Sequence, residues 1–334
     1  MPDPPVRLIR AGSLEPDLTQ GLYHSMALGM KASSADTIIL CCPSSPYLCI
    51  GYHQILDAVL DTVACNNLKL SIMRRRVGGG TTYLDRNQIF YQCVFHHSRV
   101  PVRANKVYQM MLAAPVKVVN RLGLQGRLWA VNEVEANGLR IAGIGGGRIG
   151  DAVVVVGNLL LDFEYETMSR VWRVPNEAFR RLALKTLEER VSTLKKQGCN
   201  QTPGSLETLL EEAYAETLER SLQETELSPE ELEEGRKTAR HLGSPEFLSQ
   251  HRPEGTIPPM KSIKISADVY IHALDLIHEG KFIKFAVRSD HGKITDVEFD
   301  QNGTEVSAAF KQKILSSSFE SLKDMKNDNA SDLV

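Results

Sequence analysis

The chain has 334 residues, 42% hydrophobic and 24% charged, which is ordinary for a globular protein of more than one domain. Its 39 basic residues nearly balance its 41 acidic residues, so no general nucleic-acid-binding surface is expected. No apolar run approaches the length that spans a bilayer, and the first residues lack the regions of a signal peptide, so neither a membrane partner nor secretion is expected.

The six cysteines form no C-x-x-C pair. Four of them, Cys41, Cys42, Cys49 and Cys93, lie among apolar residues. This pattern favours buried, reduced thiols over a disulfide framework or a zinc site. We therefore expect a cytoplasmic protein.

The first part of the chain alternates between helical and strand patterns. Apolar residues at helical spacing predict a helix over residues 17–32, and a short helix is predicted over residues 55–66. Apolar runs bounded by turn residues predict strands at 37–42, 47–50 and 68–73.

A basic, glycine-rich segment, Arg74–Asp85, follows the last of these strands. Glycine lets the backbone approach a ligand closely, and a turn built from it can direct successive N–H groups at an anion. Arg75 and Arg76 supply groups that contact phosphate or carboxylate bidentately. The strand predicted next, at 89–95, excludes a P-loop, which needs a helix and a Gly-Lys-Ser/Thr ending. A solvated basic turn is the alternative on this segment alone.

A second glycine-rich segment, Gly138–Arg148, follows a helix predicted over residues 105–122 with a kink at Pro115 and a strand predicted at 127–131. Gly145 and Gly147, together with Gly150 just after the segment, formally match G-x-G-x-x-G. The β-branched run at 152–163 is a strand pattern and not a helix, so a dinucleotide site is excluded. We predict instead that these glycines end one strand and begin its hairpin partner, with room for a ligand over them.

The rest of the chain is predicted to be helical to about residue 250 and then to form a small domain after a Pro/Gly-rich linker. Alternation in that domain directs Ile283, Phe285 and Val287 inward. The predicted elements are helices at 175–188, at 205–222 and from the capping box Ser228–Glu231, a linker at 251–259, strands at 281–288 and 294–299, a helix at 304–315, and a disordered tail from Lys323.

Six segments in this order resemble the lipoate–protein ligase family. The family motif is an arginine pair, one residue, three glycines, two small or apolar residues, an aromatic residue, a histidine and an aspartate. The segment Arg75–Asp85 of this chain is similar to that motif. Further matches are Gly51–Gln54, the Asn132-Glu133 pair, Gly138–Gly143, Gly157–Leu160, and Lys185 with Arg190–Ser192.

The chain departs from the family pattern at four places. Leu84 replaces the histidine, Asn87-Gln88 replaces Gly-Asn, and Glu133 replaces an aspartate. Arg140 stands where the family has a lysine that bridges the lipoyl carbonyl and the phosphate of the acyl-adenylate. Arginine keeps the charge and can contact phosphate bidentately, and Arg148 or Lys185 could share the role.

The resemblance implies a biotin/lipoate ligase-like α/β (α+β) fold, with a mixed central sheet flanked by helices and a small α+β accessory domain at the C-terminal end. It implies a catalytic domain of residues 1–252, with a helical extension at 203–250, and an accessory domain of residues 253–322. An apolar tunnel for an acyl tail would be lined by residues 37–50 and 152–161.

The implied activity is ATP-dependent activation of lipoate to lipoyl-adenylate, followed by transfer to a lysine of a carrier protein. The implied cofactors are ATP and Mg²⁺, with lipoate or octanoate as substrate. The acceptor would be an H-protein-like carrier, a lipoyl domain or a lipoate-binding protein, and the ligase would act as a monomer.

The resemblance also assigns site residues. Arg140 is the expected catalytic residue, and Asn132 with Glu133 would hold Mg²⁺. The expected substrate and adenylate contacts are His53, Arg75, Arg76, Gly78, Gly79, Gly80, Thr81, Tyr83, Asp85, Gln88, Asn132, Gly143, Gly145, Arg148, Gly157 and Lys185.

Three alternatives remain open. A cysteine-dependent octanoyl or lipoyl transferase needs a thiolate in an electropositive site, and no cysteine falls within the glycine-rich segments. A biotin–protein ligase is suggested by Ile141–Ile144, although the Arg-Arg-x-Gly-Gly-Gly order favours the lipoate branch. A non-catalytic protein that binds an adenylate or a lipoyl domain is the third.

Overall fold

The computed structural model describes residues 4–278, 281–300 and 307–322. By its internal contacts the chain divides into two compact units. The predicted division into a catalytic and an accessory domain concerns function and stays a prediction. The first unit comprises Met1–Leu56, Cys65–Glu164 and Ser192–Arg252, and the second comprises Asp57–Ala64, Tyr165–Val191 and Pro253–Val334.

Strands dominate the chain before residue 161. The elements there are β1 (Val6–Leu14), α1 (Pro16–Leu28), β2 (Thr37–Pro43), β3 (Tyr47–Ile50), α2 (Leu56–Val59), α3 (Thr62–Asn67), β4 (Ser71–Arg74), β5 (Thr82–Leu84), β6 (Gln88–His96), α4 (Ala104–Arg121), β7 (Gly126–Trp129), β8 (Glu133–Ala136), β9 (Leu139–Arg140), β10 (Ala142–Ile149) and β11 (Ala152–Leu160).

Helices and then a second group of strands follow. The elements are α5 (Tyr165–Val171), α6 (Glu177–Arg190), α7 (Pro203–Leu218), β12 (Leu222–Glu224), α8 (Pro229–Leu242), α9 (Pro245–Leu248), β13 (Ser262–Ser266), β14 (Val269–His278), β15 (Lys281–Asp290), β16 (Lys293–Phe299) and α10 (Ala308–Leu315).

The first unit is built on a six-stranded sheet of order β10-β11-β6-β2-β1-β12. β1 runs parallel to β2 and β12, and the other neighbours are antiparallel, so the sheet is mixed. Side chains alternate along β2: Ile38 and Leu40 enter a core with α4 and α7, whereas Ile39 and Cys41 enter a core with α1 and α8. A mixed sheet with helices on both faces confirms the predicted fold class.

Two smaller, three-stranded sheets hold parts of the predicted site segments. β4 and β5 flank β3 in one of them, and the other has the order β7-β8-β9. The predicted hairpin at the second glycine-rich segment is confirmed, since β10 and β11 pair antiparallel around Gly150, which has φ +56°. α4 continues through Pro115.

The second unit contains an antiparallel sheet of order β13-β14-β15-β16. Ile283, Phe285 and Val287 point into its core, as the alternation predicted. β13 and β14 were not predicted, and the helix predicted at 55–66 is divided into α2 and α3. Residues 304–306 of the helix predicted at 304–315, and the tail from Lys323, lie outside the described residues.

The helix predicted at 205–222 ends at Leu218, because Glu219 takes a left-handed conformation with φ +52°. This leaves residues 222–224 free to pair with β1. The capping box at Ser228–Glu231 is confirmed at the start of α8. Among the described residues, no helix is long and apolar enough to cross a membrane.

Candidate functional site

The first glycine-rich segment forms a loop between β4 and β5. β5 was not predicted, because the next strand was expected at 89–95, where β6 lies. Its backbone is pinned to the chain after β3, since Tyr52 N–H donates to Val77 O at 3.1 Å. Gly79 has φ +103°, which glycine adopts without strain. A Cβ on Gly51 would lie 2.0 Å from Gly79 O, so the close approach of the two backbones requires glycine at position 51.

Arg75 braces the loop from within. Its guanidinium donates to Gly78 O at 3.1 Å, to Cys49 O at 3.2 Å and to Gly80 O at 2.6 Å. The residue is 6% exposed. These contacts make Arg75 a residue that shapes the loop, and its predicted contact to the substrate stays a prediction.

Arg74 was not among the predicted site residues, yet it is fully buried at the same place. Its guanidinium donates to backbone carbonyls in the turn after β3 and at the C-terminal end of α9, and burial lowers its pKa. A third consecutive arginine at the end of a strand was the signal in the sequence. The acceptors are the carbonyl oxygens of Gly51, Tyr52, Gln54, Phe247, Leu248 and Gln250.

His24 of α1 holds the start of the loop and was also missed. Its Nε2 accepts from Arg76 N–H at 2.9 Å, so the ring proton is on Nδ1, which donates to Gln20 O at 2.7 Å. Complete burial lowers the pKa of His24 to about 3, so the ring is neutral at physiological pH. The Arg76 side chain extends to His241, at 3.1 Å, and lies over the Phe247 ring.

The structure brings the two glycine-rich segments into contact. A Cβ on Gly145 would lie 3.1 Å from Gly78 O, and one on Gly147 would lie 3.6 Å from the Val77 side chain. The loop therefore lies against one face of β10, and the absence of a side chain at Gly145 allows the close approach.

Gly143 and Gln88 meet through a residue that was not predicted, Asn158 on β11. Asn158 Oδ1 accepts from Gly143 N–H at 2.8 Å, and its Nδ2 donates to Gln88 Oε1. Gln88 Nε2 donates in turn to Tyr83 O at 3.1 Å and to Asp85 Oδ1 at 3.4 Å. The Gly143 N–H is therefore committed to a side chain of the protein.

Arg140 lies on β9, beside Gly143. Its Nε donates to Ala142 O at 3.0 Å, and its Nη2 is 3.8 Å from the position that a Cβ on Gly143 would take. Arg140 pairs with Glu135 across β8 and β9. The guanidinium is half-buried next to the contact between the two glycine-rich segments, where it can contribute positive charge.

The residues predicted to hold Mg²⁺ lie at the start of β8. Glu133 is on the same face of β8 as Glu135 and is 5% exposed, whereas Asn132 is exposed. Among the described residues, no group of three or more His, Cys, Asp or Glu could hold a metal ion. A carboxylate and an amide supply oxygen ligands of the kind that Mg²⁺ takes when substrate phosphates and water complete its shell, and the assignment of Glu133 and Asn132 stays a prediction.

Of four further predicted residues, Gly80 and Thr81 lie in the loop, Tyr83 lies on β5, and His53 follows β3. Thr81 Oγ1 donates to Gln54 Oε1 at 3.2 Å, and a Cβ on Gly80 would meet nothing within 4 Å. Tyr83 is buried, and burial raises its pKa to about 12. His53 is exposed, with its ring 5.0 Å from that of Tyr52.

Three predicted residues make none of the described contacts between the two glycine-rich segments. Arg148 is exposed at the far end of β10 and lies 3.7 Å from Asp151. Gly157 accommodates the Tyr91 side chain, whose hydroxyl would lie 2.4 Å from a Cβ there. Lys185 belongs to the second unit, where its Nζ is 2.7 Å from Asp296. Their assignment to adenylate binding stays a prediction.

No disulfide joins the six cysteines, all of which lie in described parts of the chain. Cys49 is the cysteine whose carbonyl contacts the loop, and its thiol is 1% exposed. Burial raises the pKa of the Cys49 thiol although Arg75 opposes this shift. Cys49 is thus a poor candidate for a nucleophilic thiolate.

A comparison with known protein families assigns the chain to one of them. Residues 20–215, more than half of its length, match the lipoyl protein ligase A/B catalytic domain. The chain therefore belongs to this family, and the predicted resemblance is confirmed.

The similar curated proteins are distant. The chain is 23% identical over 174 residues to a Mycoplasma pneumoniae protein named "Probable lipoate-protein ligase A", covering 51% of each chain. It is 27% identical over 213 residues to the octanoyltransferase LipM of Kyrpidia tusciae, covering 56% of this chain and 77% of that one. The chain thus spans about half the length of the Mycoplasma protein.

Solved structures share the fold. The bi-partite lipoate protein ligase of Thermoplasma acidophilum, studied with its E2 lipoyl domain, has a TM-score of 0.68 at 19% identity, covering 76% of this chain and 100% of that chain. A lipoate-protein ligase A bound with ATP has a TM-score of 0.63 at 17% identity, covering 74% of this chain and 99% of that chain.

Proposed function

We propose that the protein is an ATP-dependent lipoate–protein ligase, which activates lipoate as lipoyl-adenylate and transfers the lipoyl group to a lysine of a carrier protein. The observation that carries the proposal is the contact of the two glycine-rich segments beside Arg140. The family membership and the likeness to an ATP-bound ligase support it.

In the first step a carboxylate oxygen of lipoate attacks the α-phosphorus of ATP. A bond forms between that oxygen and the phosphorus, the bond to the bridging oxygen breaks, and pyrophosphate leaves. No enzyme nucleophile is required, so the protein must hold two anions and stabilise developing charge. We assign this role to the exposed backbone of Gly79 and Gly80 and to the guanidinium of Arg140.

In the second step the amine of an acceptor lysine attacks the acyl carbon of the mixed anhydride. The bond between that carbon and the phosphate oxygen breaks, AMP leaves, and the amine loses a proton. Arg140 would keep the phosphate charge neutralised so that AMP is a good leaving group. Mg²⁺, when bound, would neutralise the ATP phosphates, and Glu133 and Asn132 are the residues that would hold it.

Three other assignments are part of the proposal. Arg148 and Lys185 are further candidates for phosphate contacts, and Arg76 becomes one when it leaves His241. An acceptor of the lipoyl-domain type is favoured by the Thermoplasma system, in which a similar ligase works with an E2 lipoyl domain. We also propose that the chain acts as a monomer in the cytoplasm, with its six unbridged cysteines supporting a reducing compartment.

The proposal is tested by incubating the protein with ATP, Mg²⁺, lipoate and a panel of lipoyl domains and H-proteins, and weighing the products. A lipoyl mass shift on a lysine that depends on ATP is the expected result. A shift that appears only with an octanoyl-acyl-carrier donor would mean a transferase, and a shift with biotin would mean a biotin ligase. Tight adenylate binding without transfer to any acceptor would overturn the proposal.

Variants of Arg140 test the residue on which the proposal depends most. Arg140→Ala should slow pyrophosphate release by roughly two to three orders of magnitude, as expected for a lost charge contact in the transition state. Arg140→Lys should recover most of that loss. Arg86→Ala is the matched control, because Arg86 is exposed and makes one hydrogen bond at 3.3 Å. Unchanged turnover in Arg140→Ala would show that another residue makes the contact.

A further inference from the structure

Two buried side-chain amides connect the glycine-rich segments, and their hydrogen bonds can run in only one direction. Gly143 N–H can only donate, so the Asn158 atom 2.8 Å away is the amide oxygen. The NH₂ group of Asn158 must then face Gln88, and the Gln88 atom that receives it is the oxygen. The Gln88 NH₂ group is left facing Tyr83 O and Asp85 Oδ1, which are both acceptors.

This connection is rigid for two reasons. Gln88 is 0% exposed, Asp85 5% and Asn158 6%, so water cannot replace a lost partner. A backbone donor closes one end and two acceptors close the other, so turning either amide over would break contacts on both of its sides. Asp85 is held as an acceptor as well by Asn87 N–H, at 2.9 Å.

The connection ends beside Arg140. Gly143 follows Arg140 by three residues, and a Cβ on Gly143 would lie 2.9 Å from Asn158 Oδ1 and 3.8 Å from Arg140 Nη2. β10 is the terminal strand of the six-stranded sheet, so β11 is its neighbour on one side. The Asn158 amide is an additional hold on the end of β10 that leads to Arg140.

We propose that Asn158 is a positioning residue, which acts through Gly143 to hold Arg140 at a fixed distance from the Arg75–Asp85 loop. This role rests on the proposed function, in which both are parts of one adenylate site. Asn158 itself does not touch the substrate. It sets the geometry in which Arg140 meets the phosphate that the loop binds.

A double-mutant cycle on acyl-adenylate formation tests the role. Asn158→Ala should lower kcat by roughly tenfold to a hundredfold with KM nearly unchanged, because a displacement of about 1 Å in a catalytic group has effects of this size. In the Arg140→Ala background the same change should cause almost no further loss. Losses that multiply would mean that Asn158 acts independently of Arg140, and would overturn the proposal.

A second variant reaches the same connection from its other end. Gln88→Glu keeps an oxygen for Asn158 but turns a carboxylate toward Asp85, so it should reproduce the kcat loss of Asn158→Ala. Asn66→Ala, at an exposed position of α3, is the control and should leave kcat unchanged. Normal kcat in folded Gln88→Glu would contradict the proposal.

Amide hydrogen exchange gives a readout that needs no substrate. Exchange of the Gly143 N–H should be at least tenfold faster in Asn158→Ala, while the amides of β2 in the middle of the sheet stay protected. Unchanged Gly143 exchange would overturn the positioning role even in an active ligase. A wild-type protein that forms no acyl-adenylate would overturn the proposed function, whatever the exchange shows.

Discussion

The three adjacent arginines have different structural roles, which depend on the contacts that each side chain makes. Arg74 and Arg75 donate to backbone carbonyls and shape the loop, whereas Arg76 extends to His241 over the Phe247 ring. The sequence shows three equal charges. Which of them faces a ligand depends on which carbonyls the fold brings within reach, and those belong to segments up to 176 residues away.

Two neighbouring glycines differ in what they tolerate. Gly79→Ala should lower the free energy of unfolding by about 1–3 kcal/mol, since alanine is strained at φ +103°. Its Cβ would also lie 2.6 Å from Arg75 Nη2 and disturb the brace. Gly80→Ala, where a Cβ meets nothing within 4 Å, should stay within about 0.5 kcal/mol. Urea unfolding of both variants checks the difference, and equal losses would contradict it.

His24 should make stability depend on pH. Its pKa is about 3 in the folded protein and 6.5 as the ordinary value, so the unfolded chain binds the proton more readily between these limits. Stability from this group is complete above pH 6.5 and falls as the pH drops toward 3, by up to about 1.4 kcal/mol per unit. Urea midpoints measured from pH 7.5 to 5 should show this slope.

His24→Gln removes the titrating ring and should flatten the same part of the pH profile. His97→Gln is the matched control, because the His97 side chain is 40% exposed. A profile with the same slope in His24→Gln as in the wild type would mean that other groups cause the pH dependence.

Among the secondary-structure elements, the ends of several strands and helices are held together by one buried carboxylate. Asp36, just before β2, is 0% exposed and lies 2.9 Å from Arg99 Nε and 2.7 Å from Arg220 Nη1. It also accepts from His96 N–H at the end of β6. Asp36→Ala should cost about 3–5 kcal/mol, because two charges lose their buried partner.

Urea unfolding of Asp36→Ala measures that loss. Glu233→Ala is the control, since Glu233 and Arg240 form an exposed pair at 3.3 Å, with side chains 62% and 64% exposed, and exposed pairs contribute little. A similar shift in both variants would show that burial of the Asp36 pairs is not what stabilises these ends.

Helices and strands with a long apolar repeat could be predicted from the sequence. Short strands that form only by pairing with another strand could not. α1, α4 and β6 carry long apolar patterns and lie close to their predicted positions. β12 has three residues and exists because β1 offers an edge to pair with. β13 and β14 depend in the same way on cross-strand partners, which local sequence does not reveal.

For the whole molecule, thiol reactivity separates the ligase from a cysteine-dependent enzyme. Five cysteines are buried and Cys199 is half-buried, so one thiol should react with a disulfide reagent in the native protein and six after unfolding. Burial also raises the pKa of the thiols of Cys41 and Cys93. Counting thiols with and without urea makes the measurement.

Cys199→Ser should remove the single native reaction, which identifies the thiol. A second fast thiol near the loop, at Cys49, would contradict the structure and favour the transferase. The distinction concerns the chemistry of the whole protein, because a ligase of the proposed type forms no covalent enzyme intermediate.

The family, the mixed α/β architecture and the two glycine-rich segments of the candidate site could be predicted from the linear sequence. Motif order and long apolar periods are properties of the linear sequence, so they can be recognised without knowledge of the fold. Three contacts could not be predicted in this way: Arg75 donates to carbonyls of the loop, Asn158 links Gly143 to Gln88, and Lys185 pairs with Asp296. The hydrogen bonds that a polar group makes depend on which partners lie within about 3 Å of it. In this fold many of those partners come from distant parts of the chain.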